Sequence, residues 1–137
     1  MAYKFEQLEV WKLSLEYINL TYVLAEKLPK SEEYNLKSQI IRAATSISLN
    51  IAEDSTGQTN AEQARFLGMA IRSLIETVAC QHIIQQRGYI QDENLLKRIY
   101  EESQLLAKKL QNFRKSLSNS QYQVREDSSI YGDDDLS

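Results

Sequence analysis

Residues 39–53, Gln-Ile-Ile-Arg-Ala-Ala-Thr-Ser-Ile-Ser-Leu-Asn-Ile-Ala-Glu, constrain the fold of this 137-residue chain more than any other stretch. Ile40, Ala43, Ala44, Ile47 and Ile51 recur at steps of three and four, which places them on one side of an α-helix. Arg42, Ser46 and Asn50 follow at steps of four as a second line, with Glu53 at the helix end. A helix with an apolar face, a polar stripe and alanines where backbones approach is an inner wall of a bundle.

The same periodicity predicts three more helices. Leu8, Trp11, Leu15, Ile18, Tyr22 and Ala25 form a seam on a helix over residues 7–28, ended by Pro29. Lys30–Tyr34 is a polar connector with Ser31 available as a cap, and the second helix spans 36–53. A turn follows at Asp54–Gln58, where Gly57 is free to take a positive φ. Thr59 and Glu62 have capping-box spacing, opening a third helix with Phe66 or Leu67, Ala70, Ile71, Leu74 and Val78 inward, stopped at Gly88. Asp92 caps the fourth, whose seam is Leu96, Ile99, Ser103, Leu106, Leu110, Phe113 and Leu117. The fold expected is all-α: an up-and-down antiparallel four-helix bundle over residues 1–117, with a disordered acidic C-terminal tail over 118–137.

Several motifs together resemble a known family. Gln39, Arg42-Ala43, Ser46-Ile47 and Asn50-Ile-Ala-Glu53 are similar to the Q..RA..SI..NIAE signature of the four-helix bundle family named for proteins encoded in intervening sequences of bacterial 23S rRNA genes. Phe5, Leu8 and Val10-Trp11 resemble its opening F..L.VW, and Phe66-Leu67, Ala70, Ser73-Leu74 and Glu76 its third-helix FL..A..SL.E. The likeness covers residues 3 to 90, with Asp54 and Arg72 standing where the family usually has glycine. It implies a ring-shaped homopentamer. It also implies a link to the accessory subunit of the reverse transcriptase in diversity-generating retroelements, whose basic surfaces engage RNA or DNA.

Charge sharpens the functional classes. Sixteen Lys and Arg oppose nineteen Asp and Glu, but residues 118–137 hold five acids and one base, leaving fifteen bases and fourteen acids in residues 1–117. The body is near neutral, so a nucleic-acid partner would need a local basic patch rather than a globally basic surface. Cys80 is the one cysteine, which excludes an internal disulfide and makes the cytoplasm the expected location. No window approaches the length of uncharged residues that a membrane span requires.

Catalytic patterns are missing. With one histidine, His82, there is no metal cluster and no Ser-His-Asp set, and only four glycines leave no phosphate-cradling loop; no cofactor is expected. RNA-cleaving bundles of the HEPN superfamily carry an Arg followed, after four to six intervening residues, by His, whereas nine residues intervene between Arg72 and His82. Cys80 and His82 are expected to pack.

If helices 2 and 3 are antiparallel about Gly57, Arg42 lies opposite Ser73 and Glu76, and Asn50 and Glu53 lie near Arg65. An Arg42–Glu76 ion pair and an Asn50 or Glu53 contact to Arg65 follow, giving a structural polar network of Arg42, Ser46, Asn50, Glu53, Arg65, Ser73 and Glu76. The alternative, a hydrolase site along the same stripe, would need a pocket that the packed alanines oppose. Candidate nucleic-acid contacts are Arg65, Arg72, Arg87, Lys97, Arg98, Lys108, Lys109, Arg114 and Lys115, on helices 3 and 4. Interleaved acids give i to i+4 pairs such as Glu93 with Lys97. Two readings result: a non-enzymatic homo-oligomer binding RNA or DNA, as accessory to a nucleic-acid enzyme, or a protein-interaction module with no nucleic-acid role. Tyr3, Phe5 and Trp11 either complete the monomer core or plug into a neighbour.

Overall fold

The computed structural model describes the backbone of residues 3–125 and the side chains of residues 3–118. A 3₁₀ turn, Lys4–Gln7, precedes four helices: α1 (Glu9–Glu26), α2 (Leu36–Asp54), α3 (Asn60–Arg87) and α4 (Glu93–Arg125). Each packs on its neighbours in sequence and α4 closes back onto α1, so the chain forms an up-and-down four-helix bundle. The α2–α3 pair is the most extensive contact and α1–α4 the least. Ile40, Ala43, Ala44, Ile47 and Ile51 are all buried, as their spacing requires.

Local signals set the helix ends. Thr59 Oγ1 accepts from the Glu62 N–H at 3.0 Å, while the Glu62 carboxylate accepts from the Gln58 N–H at 2.7 Å. Gly88 ends α3 at φ +73°, and its neighbour Tyr89 donates its N–H back to the Ile84 carbonyl. Asp92 Oδ1 accepts from the Leu95 N–H at 3.1 Å at the start of α4. Gly57 is needed for another reason than expected: its φ is not positive, but a Cβ there would fall 2.8 Å from Gln63 Cγ. At α2 the cap comes from Glu32 rather than Ser31, its Oε1 accepting from Leu36 N–H and from Asn35 Nδ2. Helix α4 runs to Arg125, past the expected end at Leu117. No glycine or proline interrupts 118–125, so a helix already nucleated propagates through it. The rest of the expected tail, 126–137, lies outside the described residues.

Helix α1 is rotated by about one residue from the expected seam. Val10, Ser14, Tyr17, Thr21 and Leu24 face inward, while Leu15 and Tyr22 are 41% and 44% exposed. The cause is hydrogen bonding by polar groups that a purely apolar count passes over. Ser14 Oγ donates to the Trp11 carbonyl (2.7 Å) and therefore accepts from Ser48 of α2 (2.8 Å). Thr21 Oγ1 donates to the Tyr17 carbonyl at 2.9 Å. Satisfied locally, these small hydroxyls bury at little cost. Phe5 meets Trp11 edge-on at 4.6 Å and Tyr3 stacks on Phe5 at 6.3 Å; Trp11 packs against the monomer's own core, whereas Tyr3 is 72% exposed.

Candidate nucleic-acid interface

Two contacts fix how α3 and α4 face each other. His82 lies edge-on to Tyr100 with ring centroids 5.9 Å apart. Fourteen residues back along α3, the Arg114 guanidinium rests on Gly68, where a Cβ would sit 3.3 Å from its central carbon. Tyr100 and Arg114 are also fourteen residues apart, so the two helices run antiparallel in a two-heptad register. That register brings Arg65, Arg72, Lys97, Lys108, Arg114 and Lys115 to one outer face of the α3–α4 pair. Except for Arg114, folded onto Gly68, and Arg65, whose guanidinium lies 4.9 Å over the Phe66 ring, no intramolecular partner is seen for them among the described residues.

The other three basic candidates lie elsewhere. Lys109 pairs with Glu9 of α1 at 3.2 Å, and Arg98, three turns earlier, shares that flank. Arg87 Nε donates to the Tyr89 hydroxyl (3.4 Å), which in turn donates to Glu32 Oε2 (2.7 Å). The Tyr89 hydrogen bond holds the Glu32 carboxyl below its ordinary range, and the same tyrosine raises Arg87 further.

The polar network is smaller than expected and shifted by one turn. Ser73 meets Ser46, at 2.9 Å, rather than Arg42, and Asn50 Nδ2 donates to the Ser46 carbonyl (2.9 Å) and hydroxyl (3.1 Å). The shift arises because Ser55, Thr56 and Gly57 donate to the carbonyls of Ala52, Glu53 and Asp54, winding α2 onward before the chain turns. Arg42 and Glu76 are consequently both exposed and form no ion pair. Neither Asn50 nor Glu53 reaches Arg65, whose NH1 approaches only Met69 Sδ at 3.8 Å. The Glu93–Lys97 pair is likewise unmade, with both side chains exposed.

A second polar layer was missed by sequence reasoning. Thr77 Oγ1 donates to the Leu74 carbonyl at 2.6 Å, so the buried Tyr17 hydroxyl, 2.8 Å away, must donate to Thr77. Tyr17 then accepts from Gln81 Nε2. Burial pushes the Tyr17 phenol up to about 12, so it stays neutral and the direction of the chain is fixed. Cys80 is buried, and desolvation raises its thiol, whereas His82 lies at the surface against Tyr100 instead of packing inside.

Gln81, His82, Gln85, Ile90, Glu93, Leu96, Lys97 and Tyr100 line a cleft of about 680 Å³ between α3 and α4. At the opposite end of the bundle, Asp54 is 2% exposed and its Oδ1 has no hydrogen-bond partner. Burial pushes this carboxyl up to about 6, against a weaker opposing pull from Lys4. Arg72, the other departure from the family's glycines, simply points outward. Among the described residues no group of His, Cys, Asp and Glu is placed to hold a metal ion, and no helix is long and apolar enough to cross a membrane.

An all-α bundle whose central helices are linked by a serine pair places the chain among small four-helix proteins. Its motifs and fold agree with one family within that class. The model of the 23S rRNA-intervening sequence protein family matches residues 6–125, and the chain belongs to that family. It is also similar to a solved protein of unknown function from the S23 ribosomal protein family of Bacteroides thetaiotaomicron, with 28% identity and a TM-score of 0.71 over 77% of this chain and 98% of that one. Among curated proteins none matches.

Proposed function

We infer that the protein is a non-enzymatic, cytoplasmic, homo-oligomeric bundle that binds RNA or DNA along the outer α3–α4 face. The observation that carries this is the register set by His82–Tyr100 and Gly68–Arg114, which aligns six cationic side chains although the body of the chain is near neutral. A stripe of this kind tracks a phosphate backbone. Self-association is supported by apolar side chains along the outside of α1 and α2: Leu15, Tyr22, Val23 and Leu49 are each at least 41% exposed. In a ring of five, as the family resemblance implies, the modest patch is repeated and its attractions add.

The experiment is fluorescence anisotropy with a labelled RNA at rising salt, on the full chain and on an Arg72→Glu, Lys108→Glu, Lys115→Glu variant. Affinity of the wild type should fall at least tenfold between about 50 and 200 mM salt. In the variant the log–log salt slope should shrink by roughly 0.7 to 0.9 for each phosphate that the protein no longer neutralises. Salt-independent binding, or equal affinity of both proteins, would overturn the assignment. The exposed α1–α2 stripe also favours a second reading, a protein-interaction module whose partner is another protein, including a nucleic-acid enzyme. Light scattering that shows a monomer with that stripe free would favour it.

A further inference from the structure

We propose that the α3–α4 cleft is a base-binding pocket for single-stranded nucleic acid, taking one unstacked base that carries an exocyclic amino group, with the adjoining phosphate at Lys97. This rests on the reading of the α3–α4 face as a nucleic-acid surface and adds that the face selects single strands and discriminates among bases.

The cleft has the size of a small-ligand pocket and is open on one side. Its walls combine two aromatic rings, His82 and Tyr100, with Tyr100 41% exposed, and an apolar floor at Ile90 and Leu96. Exposed aromatic faces beside a cationic stripe are how proteins hold splayed-out bases, because every base has a π-face and duplexes hide it. The polar groups give the direction of readout. Gln81 is 5% exposed, and its amide nitrogen is committed to Tyr17, which donates onward to Thr77 and the Leu74 carbonyl. The amide therefore cannot flip without breaking that chain, which keeps its carbonyl oxygen in place as an acceptor with no partner among the described residues, beside the one N–H that the amide still has free. Glu93, on the rim, is a second acceptor. Two acceptors call for a ligand edge with N–H donors, which cytosine, adenine and guanine have in their amino groups and uracil lacks at the same place. Glu93 and Lys97 stand one helical turn apart without forming an ion pair, leaving the carboxylate for the base and the ammonium for its phosphate. Along the groove from Lys97, the rest of the stripe continues the phosphate track.

The test uses the full chain and labelled homopolymers of roughly twelve nucleotides, oligo(C), oligo(U) and an abasic strand, together with an RNA duplex, read by anisotropy at low salt. Wild type should bind oligo(C) about fivefold tighter than oligo(U) and at least as much tighter than the abasic strand. Tyr100→Leu should weaken oligo(C) roughly 5- to 100-fold and leave the abasic strand and the duplex unchanged. Glu93→Gln should narrow the difference between oligo(C) and oligo(U). Lys97→Ala should weaken all single strands alike. All three positions are surface side chains, and an unchanged unfolding midpoint for each variant confirms that the bundle is intact. If abasic and base-bearing strands bind equally, or if Tyr100→Leu binds oligo(C) like wild type, the pocket is refuted while the phosphate-tracking face stands. If no strand and no duplex binds, both fall.

Discussion

Asp54 makes the bundle's stability depend on pH in a direction opposite to that of most carboxylates. It is 2% exposed, its Oδ1 has no partner, and it sits in the last turn of α2, where the helix dipole also disfavours negative charge. Lys4 is the one cation that acts on it, and its pull is weaker than the effect of burial. Its pKa in the folded state is raised from 3.8 to about 6. Below the lower value, Asp54 is protonated whether the chain is folded or not, and it contributes no pH dependence. Between the two values the unfolded chain ionises while the folded one keeps its proton, so stability falls as pH rises; above the upper value the loss is complete. At about 1.4 kcal/mol per pH unit, the loss is roughly 3 kcal/mol, a large share of a typical domain's stability. Asp54→Asn keeps the shape and removes the titration. Urea unfolding of both proteins at intervals from pH 4 to 7 should show Asp54→Asn gaining on wild type by about 2.4 kcal/mol across that range, whatever constant offset the amide introduces. Curves that stay parallel within about 0.5 kcal/mol would refute the claim that this carboxylate is buried without a partner.

Tyr17→Phe deletes the hydroxyl between Gln81 and Thr77, leaving a buried amide donor unpaired, and should cost roughly 1 to 3 kcal/mol in urea unfolding. Alanine substitutions at Ser46 and Ser73, singly and together, should show a coupling of about 0.5 to 1.5 kcal/mol in a double-mutant cycle. The same cycle on Arg42 and Glu76 should show coupling below about 0.3 kcal/mol, since neither side chain touches the other.

Helix α2 was legible almost to the residue, because its apolar positions and its polar stripe both repeat with the helical period and each constrains the other. Helix α1 was not. Its inward face is built from Ser14, Tyr17 and Thr21, and a hydroxyl that bonds to its own backbone looks polar in sequence while behaving as filler in the core. The distances across α2 and α3 failed for a different reason: the three residues after Asp54 extend the helix by carbonyl hydrogen bonds that composition does not announce, and a shift of one turn moves every cross-helix partner. Of the basic candidates, the helices and the exposure of Arg72, Lys97, Lys108 and Lys115 could be read from spacing. That Lys109 is held by Glu9, and that the Tyr89 bonded to Arg87 is itself anchored on Glu32, depends on contacts across 57 or more residues of chain. The cleft was invisible because it exists only once His82 and Tyr100 are brought level by the α3–α4 register.

Ser46 and Ser48 stand two residues apart on α2 and look to opposite sides, the first to Ser73 of α3 and the second to Ser14 of α1. Four amphipathic rods can be wound clockwise or anticlockwise around one axis, and greasiness alone is a weak guide to which of the mirror arrangements forms. Exchanging α1 and α3 about α2 would strand both pairs of hydroxyls. Those two small bonds therefore favour one handedness of the bundle over its mirror winding.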